Sequence, residues 1–401
     1  MKILRRSLAI AMGIAALLTG LTGPTSAADQ GGEFGRATLI QFAALPAQTW
    51  VTASEPSGAA LGTTPINGIP VPFADQPVQG FSGVVNNHDG TYEVLSDNGY
   101  GAKANSADFV LRIHRIAPNF RTGQVDVVGG INLTDPAGHL SFPLTRPDRV
   151  LTGADFDPES ILRAADGTYW IGDEFGPFLL HVDRAGRLLA PPVSLEGVFA
   201  PENPFRGATP ANLASSKGFE GLGLSPDKRT AYPLLEGTVT GDTPGDLRLY
   251  EFDLRAAAYT GKRWTYRLDA PTHAIGDVAV VDANRFLVIE RDGAQGDAAM
   301  VKKVYLADRR DRNHDGVLDK TLVADLLDIA NPKGVGGFGP TFRFPFVTIE
   351  NIVILSDRTL GIGNDNNFPF SSGRTPGEPD NDEFIVIRLG KRLNVDPRVL
   401  R

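Results

Sequence analysis

A hairpin with an acidic end recurs along this chain, and no other feature limits the fold so strongly. A short apolar strand leads to a turn and a second strand, which runs into a polar cluster. The first copy is Phe81 to Val85, a turn at His88-Asp89-Gly90, then Tyr92 to Leu95 and Asp97-Asn98. The second is Asp157 to Leu162, Asp166-Gly167, Tyr169 to Ile171 and Asp173-Glu174. The third is Phe219 to Leu222, Pro226 to Lys228, Ala231 to Leu235 and Glu236. The fourth is Ile275 to Val280, Asp282 to Asn284, Phe286 to Ile289 and Glu290-Arg291-Asp292. The fifth is Ile349 to Val353, Asp357-Arg358, Leu360 to Ile362 and Asn364-Asp365-Asn366.

A third strand-like run follows each hairpin, at 109–116, 178–182, 247–252, 303–306 and 384–389, and a fourth follows in the first four copies. Four antiparallel strands per unit make the blade of an all-β propeller, which protects sheet edges by radial repetition. The fifth copy ends after three strands, and the run 37–42 is available as its fourth, closing the ring from the N-terminal side. Five units are counted, and the long connections leave room for a degenerate sixth. A β-sandwich also alternates strands with Gly/Pro turns. It does not explain why the polar clusters return at one place in every repeat.

In a propeller the first strand of each blade lines the axis and the second runs antiparallel beside it. First-strand starts and second-strand ends therefore emerge on one face. The repeat puts Glu159, Glu220, Asp277 and Glu350 in the first set, and Asn98, Asp173, Glu174, Glu236, Glu290 and Asp365 in the second. So many carboxylates cannot stay ionised together without compensation. Either they are protonated or paired, or a cation sits among them, and all-oxygen ligands suit Ca²⁺ or Mg²⁺. The expected funnel ligands are Glu159, Glu220, Asp277, Glu350, Asn98, Asp173 and Asp365. Glu159, Glu220 and His273, which lies just before Asp277, are the candidate acid–base groups. Lys103, Lys217, Arg291 and Arg343 are candidate holders of an anionic substrate. For each of these residues the bland alternative is a turn acid or a surface charge paired locally.

Asp311, Asn313, Asp315 and Asp319 form a separate motif with the D-x-[DN]-x-D-G start of a calcium loop. Position twelve would be Leu322, where a bidentate acid is expected, so a structural Ca²⁺ competes with an ordinary Asp/Asn/Gly turn. The G-x-S-x-G, Walker, H-E-x-x-H and Rossmann signatures do not occur.

Composition supplies the setting. The chain has 401 residues, net charge −8 and no cysteine, which argues against nucleic-acid partners, disulfides and thiolate chemistry. Lys2, Arg5 and Arg6 precede an apolar run to Gly20 and the small residues Thr25-Ser26-Ala27-Ala28. This pattern reads as a signal peptide over residues 1–28, with a twin-arginine route suggested by Arg5-Arg6. Residues 29–401 then form one exported domain, secreted or periplasmic, with no second stretch able to span a bilayer. A monomer is expected.

Gln79-Gly80-Phe81-Ser82-Gly83-Val84 with Leu95-Ser96-Asp97-Asn98-Gly99 resembles the opening of the phytase-like domain family, "esterase-like activity of phytase". So do Asp157-Pro158-Glu159-Ser160, Trp170 to Glu174, Gly218 to Leu222, Glu350-Asn351 and Asn364 to Asn367. The resemblance implies an exported bacterial propeller that hydrolyses phosphoesters or esters, without fixing the substrate or the catalytic residues. Three readings stand at this point: a calcium-dependent hydrolase, a lactonase-like carboxylic ester hydrolase, and a non-catalytic, calcium-stabilised binding propeller. A phosphatase should show a basic rim around the funnel, and a lactonase an apolar wall.

Overall fold

The computed structural model describes residues 33–401; the signal-peptide expectation lies outside them. Among these residues there is no α-helix, only the 3-10 turns Ala59–Leu61, Gly296–Ala298 and Val335–Gly337. The remaining regular structure is β. The first repeat forms Phe81–Asn86, Tyr92–Ser96, Arg112–Asn119 and Gln124–Asn132. The second forms Pro158–Arg163, Tyr169–Asp173, Phe178–Val182 and the short Val193–Ser194. The third forms Phe219–Leu224, Thr230–Leu235, Asp246–Asp253 and Ala258–Arg267. The fourth forms Ala274–Val280, Arg285–Arg291, Lys302–Asp308 and Asp319–Asp325. Neighbouring strands in each repeat are antiparallel.

The fifth repeat supplies Thr348–Ser356, Thr359–Asp365 and Asp382–Arg388 from its own sequence. Thr38–Leu45 runs antiparallel to Asp382–Arg388, from Thr38 opposite Arg388 to Leu45 opposite Asp382. A single parallel bridge between Ala44 and Gln124 also ties this strand to the first repeat.

The arrangement is propeller-like. Phe81–Asn86 lies beside Pro158–Arg163, which lies beside Phe219–Leu224; Ala274–Val280 and Thr348–Ser356 follow, and the last returns to Phe81–Asn86. Burial follows from this order. Strands next to the centre are covered on both faces, so Tyr169–Asp173 is buried throughout, while the outer Ala258–Arg267 is mostly exposed. Apolar cores fill the wedges between neighbouring sheets: Leu95, Ile113, Ile161 and Leu180 between the first two, and Leu162, Trp170, Phe219 and Phe252 between the next two. Each such side chain contributes about 1.5–3 kcal/mol on burial. Close approach at the centre needs small residues. A Cβ on Gly276 would fall 1.9 Å from the Ile349 carbonyl oxygen, so only glycine lets these two first strands meet.

Candidate functional site

In all five hairpins the pairing register shifts at the start of the first strand. The shift passes over Ser82, Glu159, Glu220, Gly276 with Asp277, and Glu350, in repeat order. A bulge leaves its extra residue outside the ladder and re-aims the side chain. Across the hairpin, Ser96, Asp173, Leu235, Glu290 and Asn364 pair with the residue before the shift. The residues immediately after them are Asp97, Glu174, Glu236, Arg291 and Asp365. Period-two alternation turns these second-strand residues the opposite way from their paired neighbours. Two equivalent sets of side chains thus converge on one end of the molecule, and the fourth repeat contributes a cation where the others contribute acids.

The Arg291 guanidinium binds three of these acids through Nη2: Glu350 Oε1 at 3.0 Å, and Glu220 Oε1 and Glu236 Oε1 both at 3.3 Å. Lys217 Nζ binds the other oxygen of Glu236. Burial works against the charge of Arg291 and Lys217, and the surrounding carboxylates more than restore it, so both are held above their usual range. The buried ammonium of Lys302 anchors the neighbouring backbone, bonding the Asp292 carbonyl at 2.7 Å and the Val347 carbonyl at 3.1 Å.

Two cations do not neutralise this cluster. One oxygen each from Asp157, Glu159 and Glu174 lies within 4.8 Å of the others, and the same holds for Glu174, Glu220 and Glu236. Glu174 belongs to both groups. Its Oε1 is buried and accepts no hydrogen bond from the protein. Burial and then neighbouring carboxylates push Glu159, Glu174 and Glu220 well above the ordinary carboxylate range. Asp97 is raised to about 7, by burial first and Asp157 second. Gly218 lets the chain pass close to this point, since a Cβ there would lie 2.5 Å from the Glu174 Cα. An orphaned buried oxygen and an all-oxygen donor set fit a hard divalent cation such as Ca²⁺ or Mg²⁺.

The other candidates from the sequence are placed as follows. Glu350 reaches the cluster through Arg291. Asp173 spends both oxygens on backbone, accepting from Asp157 N and Gly176 N at 2.8 Å each. Asn98 Oδ1 closes its own turn on Tyr100 N and Gly101 N, while its backbone N–H donates to Asp157 Oδ1 at 3.3 Å. Asp365 accepts from Asn367 N at 2.6 Å and, raised well above the usual range by burial and then Asp97, stands beside the cluster.

Asp277 is not brought in. The fourth bulge spans two residues, and Asp277 instead accepts from Val278 N at 2.7 Å and Ile352 N at 3.0 Å. It lines a separate cavity of about 240 Å³ with Val84, Leu222 and Ile352, where burial raises it to about 8. His273 Nδ1 lies 2.9 Å from Glu290 Oε1, and Lys103 Nζ lies 5.6 Å from the Phe175 ring centre. Arg343 is exposed and donates to the Ala299 carbonyl at 3.3 Å.

The turn carrying Asp311, Asn313, Asp315 and Asp319 joins Lys302–Asp308 to Asp319–Asp325. Asp311 accepts from Asp315 N and Gly316 N at 3.0 Å each, Asn313 Oδ1 from Asp315 N at 3.2 Å, Asp315 from Val317 N at 2.9 Å, and Asp319 from Arg312 N at 3.0 Å. Among the described residues, no three of its acids gather into a ligand group.

Asp157, Glu174 and Glu236 were not in the expected ligand set. The repeat already put Glu174 and Glu236 at second-strand ends, but the choice between Asp173 and Glu174 depends on strand phase. The phase is set by the bulge.

The model of the phytase-like family, described as esterase-like activity of phytase, matches residues 76–368. The chain belongs to the phytase-like family. Both sets of converging side chains fall within the matched span. An uncharacterized secreted protein of Arthroderma benhamiae is 23% identical over 333 residues, covering 62% of this chain and 64% of that protein. Among solved structures, a luciferin-regenerating enzyme is similar over 91% of this chain and 94% of its own, at 9% identity and a TM-score of 0.41. A putative 6-phosphogluconolactonase from Bacteroides uniformis is similar over 74% of this chain and 81% of its own, at 14% identity and a TM-score of 0.36. Likenesses at this level carry no argument about chemistry. No described helix is long and apolar enough to cross a membrane.

Proposed function

We propose that this member of the phytase-like family is an exported, metal-dependent hydrolase of ester bonds, working at the carboxylate centre of a five-bladed propeller. The last blade takes Thr38–Leu45 as its outer strand, and residues 1–28 are removed on export. The supporting observation is Glu174: a buried carboxylate, shared by two acid groups, with an oxygen that no protein donor reaches. A purely structural cluster would have its lone pairs filled. Asp157, Glu159, Glu174, Glu220 and Glu236 are the residues to hold Ca²⁺, or Mg²⁺ in its place. The bound ion supplies Lewis-acid polarisation of the ester oxygen and a more acidic water.

The chain's own residues have defined tasks around it. Arg291 fixes Glu220, Glu236 and Glu350 relative to one another, so the donor set is preorganised rather than assembled on binding. Lys217 holds Glu236 from the solvent side. The test is turnover by purified protein on p-nitrophenyl phosphate, bis-p-nitrophenyl phosphate, p-nitrophenyl acetate and a simple lactone, with Ca²⁺ and after EGTA. Calcium-dependent turnover of one class, lost in a folded Glu174→Gln protein, supports the reading. No turnover of any class, with EGTA only lowering the melting temperature, replaces it with a calcium-stabilised binding protein.

A further inference from the structure

A cleft of about 630 Å³ opens beside the carboxylate centre, between the third and fourth repeats. Lys217, Glu236 and Arg291 line it where it meets the carboxylate centre. Val239, Pro244, Leu268 and Pro271 supply much of its wall, with several glycines, and His273 stands on the same wall. These two cations are already bonded to Glu236, Glu220 and Glu350. No cationic side chain among the lining residues is left unpaired for a phosphate, and much of the rest of the lining is apolar. The wall is therefore matched to an uncharged, apolar group.

His273 is held in a defined way. Its Nδ1 is 2.9 Å from Glu290 Oε1, which also accepts the Asp269 N–H at 2.7 Å. The second oxygen of Glu290 accepts from the Tyr266 hydroxyl at 2.9 Å and Lys320 Nζ at 2.6 Å. Glu290 is fully buried, with two donors on each oxygen. Against such an acceptor the neutral imidazole carries its hydrogen on Nδ1, which leaves the lone pair on Nε2. Nε2 has no hydrogen-bond partner in the protein and is not fully buried, and His273 lines the cleft.

We propose that this cleft binds the acyl body of an uncharged carboxylic ester or lactone, that His273 is the proton-transferring catalytic residue, and that Glu290 is its positioning residue. The assignment rests on the hydrolase reading and narrows its substrate class. The water oxygen bonds to the carbonyl carbon while one water proton passes to Nε2. The carbon–alkoxide bond then breaks, and that proton passes from Nε2 to the departing oxygen. Ester and water become acid and alcohol, and nothing is oxidised or reduced.

The experiment combines kinetics with ¹⁵N-histidine NMR on the full mature chain, the His273 signals being identified by their loss in His273→Gln. The expected kinetic results are three. His273→Gln lowers kcat on p-nitrophenyl butyrate by about a hundredfold or more. Glu290→Gln lowers kcat with KM little changed and abolishes the single-tautomer signature. Thr272→Trp, an exposed substitution on the cleft wall, raises KM for longer acyl chains without changing the unfolding midpoint. In the spectrum, the Nε2 resonance should shift with γ-butyrolactone and stay still with inorganic phosphate.

Metal-dependent ester turnover that survives His273→Gln at full rate, with an Nε2 resonance indifferent to lactone, overturns this inference and leaves the hydrolase reading intact. A lactone-induced Nε2 shift without turnover of any ester overturns the hydrolase reading and the proton-transfer role, leaving the cleft as a binding site for neutral ligands. A shift with phosphate and not with lactone overturns the substrate class.

Discussion

Two acidic regions of this protein invite opposite conclusions depending on whether they are met in sequence or in space. The turn from Asp311 to Asp319 carries the only contiguous calcium-loop pattern in the chain, yet its carboxylates accept from its own backbone amides. The carboxylate centre has no contiguous pattern, since Asp157 and Glu236 are far apart in the chain. Its acids nonetheless gather in groups within 4.8 Å and leave a Glu174 oxygen without a donor. The first region satisfies its oxygens locally and is exposed. The second buries them, and topology rather than spacing brings them together. Unmet acceptor capacity under burial distinguishes a candidate cation site from an acidic turn.

The largest expected effect comes from removing the more buried of the centre's two cations. Arg291→Met leaves Glu220, Glu236 and Glu350 buried without their shared partner, and breaking such a pair costs about 3–5 kcal/mol. Urea denaturation in EGTA measures this loss. An unchanged midpoint would mean that the acids are neutralised by protons and that Arg291 matters little.

Next in size is Glu174→Gln. Calorimetric titration with Ca²⁺ should show affinity reduced by more than about a hundredfold, since lost outer-shell partners alone cost ten- to hundredfold. The same substitution should stabilise the calcium-free protein, by about 1 kcal/mol, because it removes one of several crowded carboxyls. Loss of stability in EGTA would show Glu174 to be a structural residue.

The third effect is on pH. Asp97 is raised to about 7 and Asp277 to about 8, against an ordinary value of 3.8. Each binds its proton more tightly folded than unfolded, so the folded state carries more protons above pH 3.8 and stability falls as pH rises. In EGTA the melting temperature should therefore decline across about pH 5 to 8. Calcium should remove the part of that decline due to the centre. The part due to Asp277, in its separate cavity, should persist. A flat profile in EGTA would show that these carboxyls are not raised.

The sequence carried the all-β class, the hairpin repeats and the end of the molecule at which acids gather, because strand-turn periodicity and repeat spacing are local properties. Thr38–Leu45 pairs with Asp382–Arg388 and also bridges to Gln124, so it joins the last repeat's sheet to the first. Which member of each polar pair turns inward was not legible. Asp173 holds backbone while Glu174 faces the centre, and Glu290 faces His273 while Arg291 takes the inward position. That choice depends on register shifts at Glu159, Glu220 and Glu350, which no residue type announces. Asp277 shows the same limit, since one further residue in the fourth bulge carries it to another cavity.

The smallest effect tests the comparison from its other side. Asp315→Asn keeps a side-chain oxygen for Val317 N and removes one charge from an exposed turn. If that turn is satisfied by its own amides, stability should change by less than about 0.5 kcal/mol, and the calcium stoichiometry of the whole protein should stay the same. Loss of one bound calcium in Asp315→Asn, with Glu174→Gln still binding normally, would reverse the assignment: the contiguous motif would hold the ion, and the buried centre would be neutralised by protons alone. Double substitution separates the cases, because the two regions share no side chain and their effects on calcium binding should add.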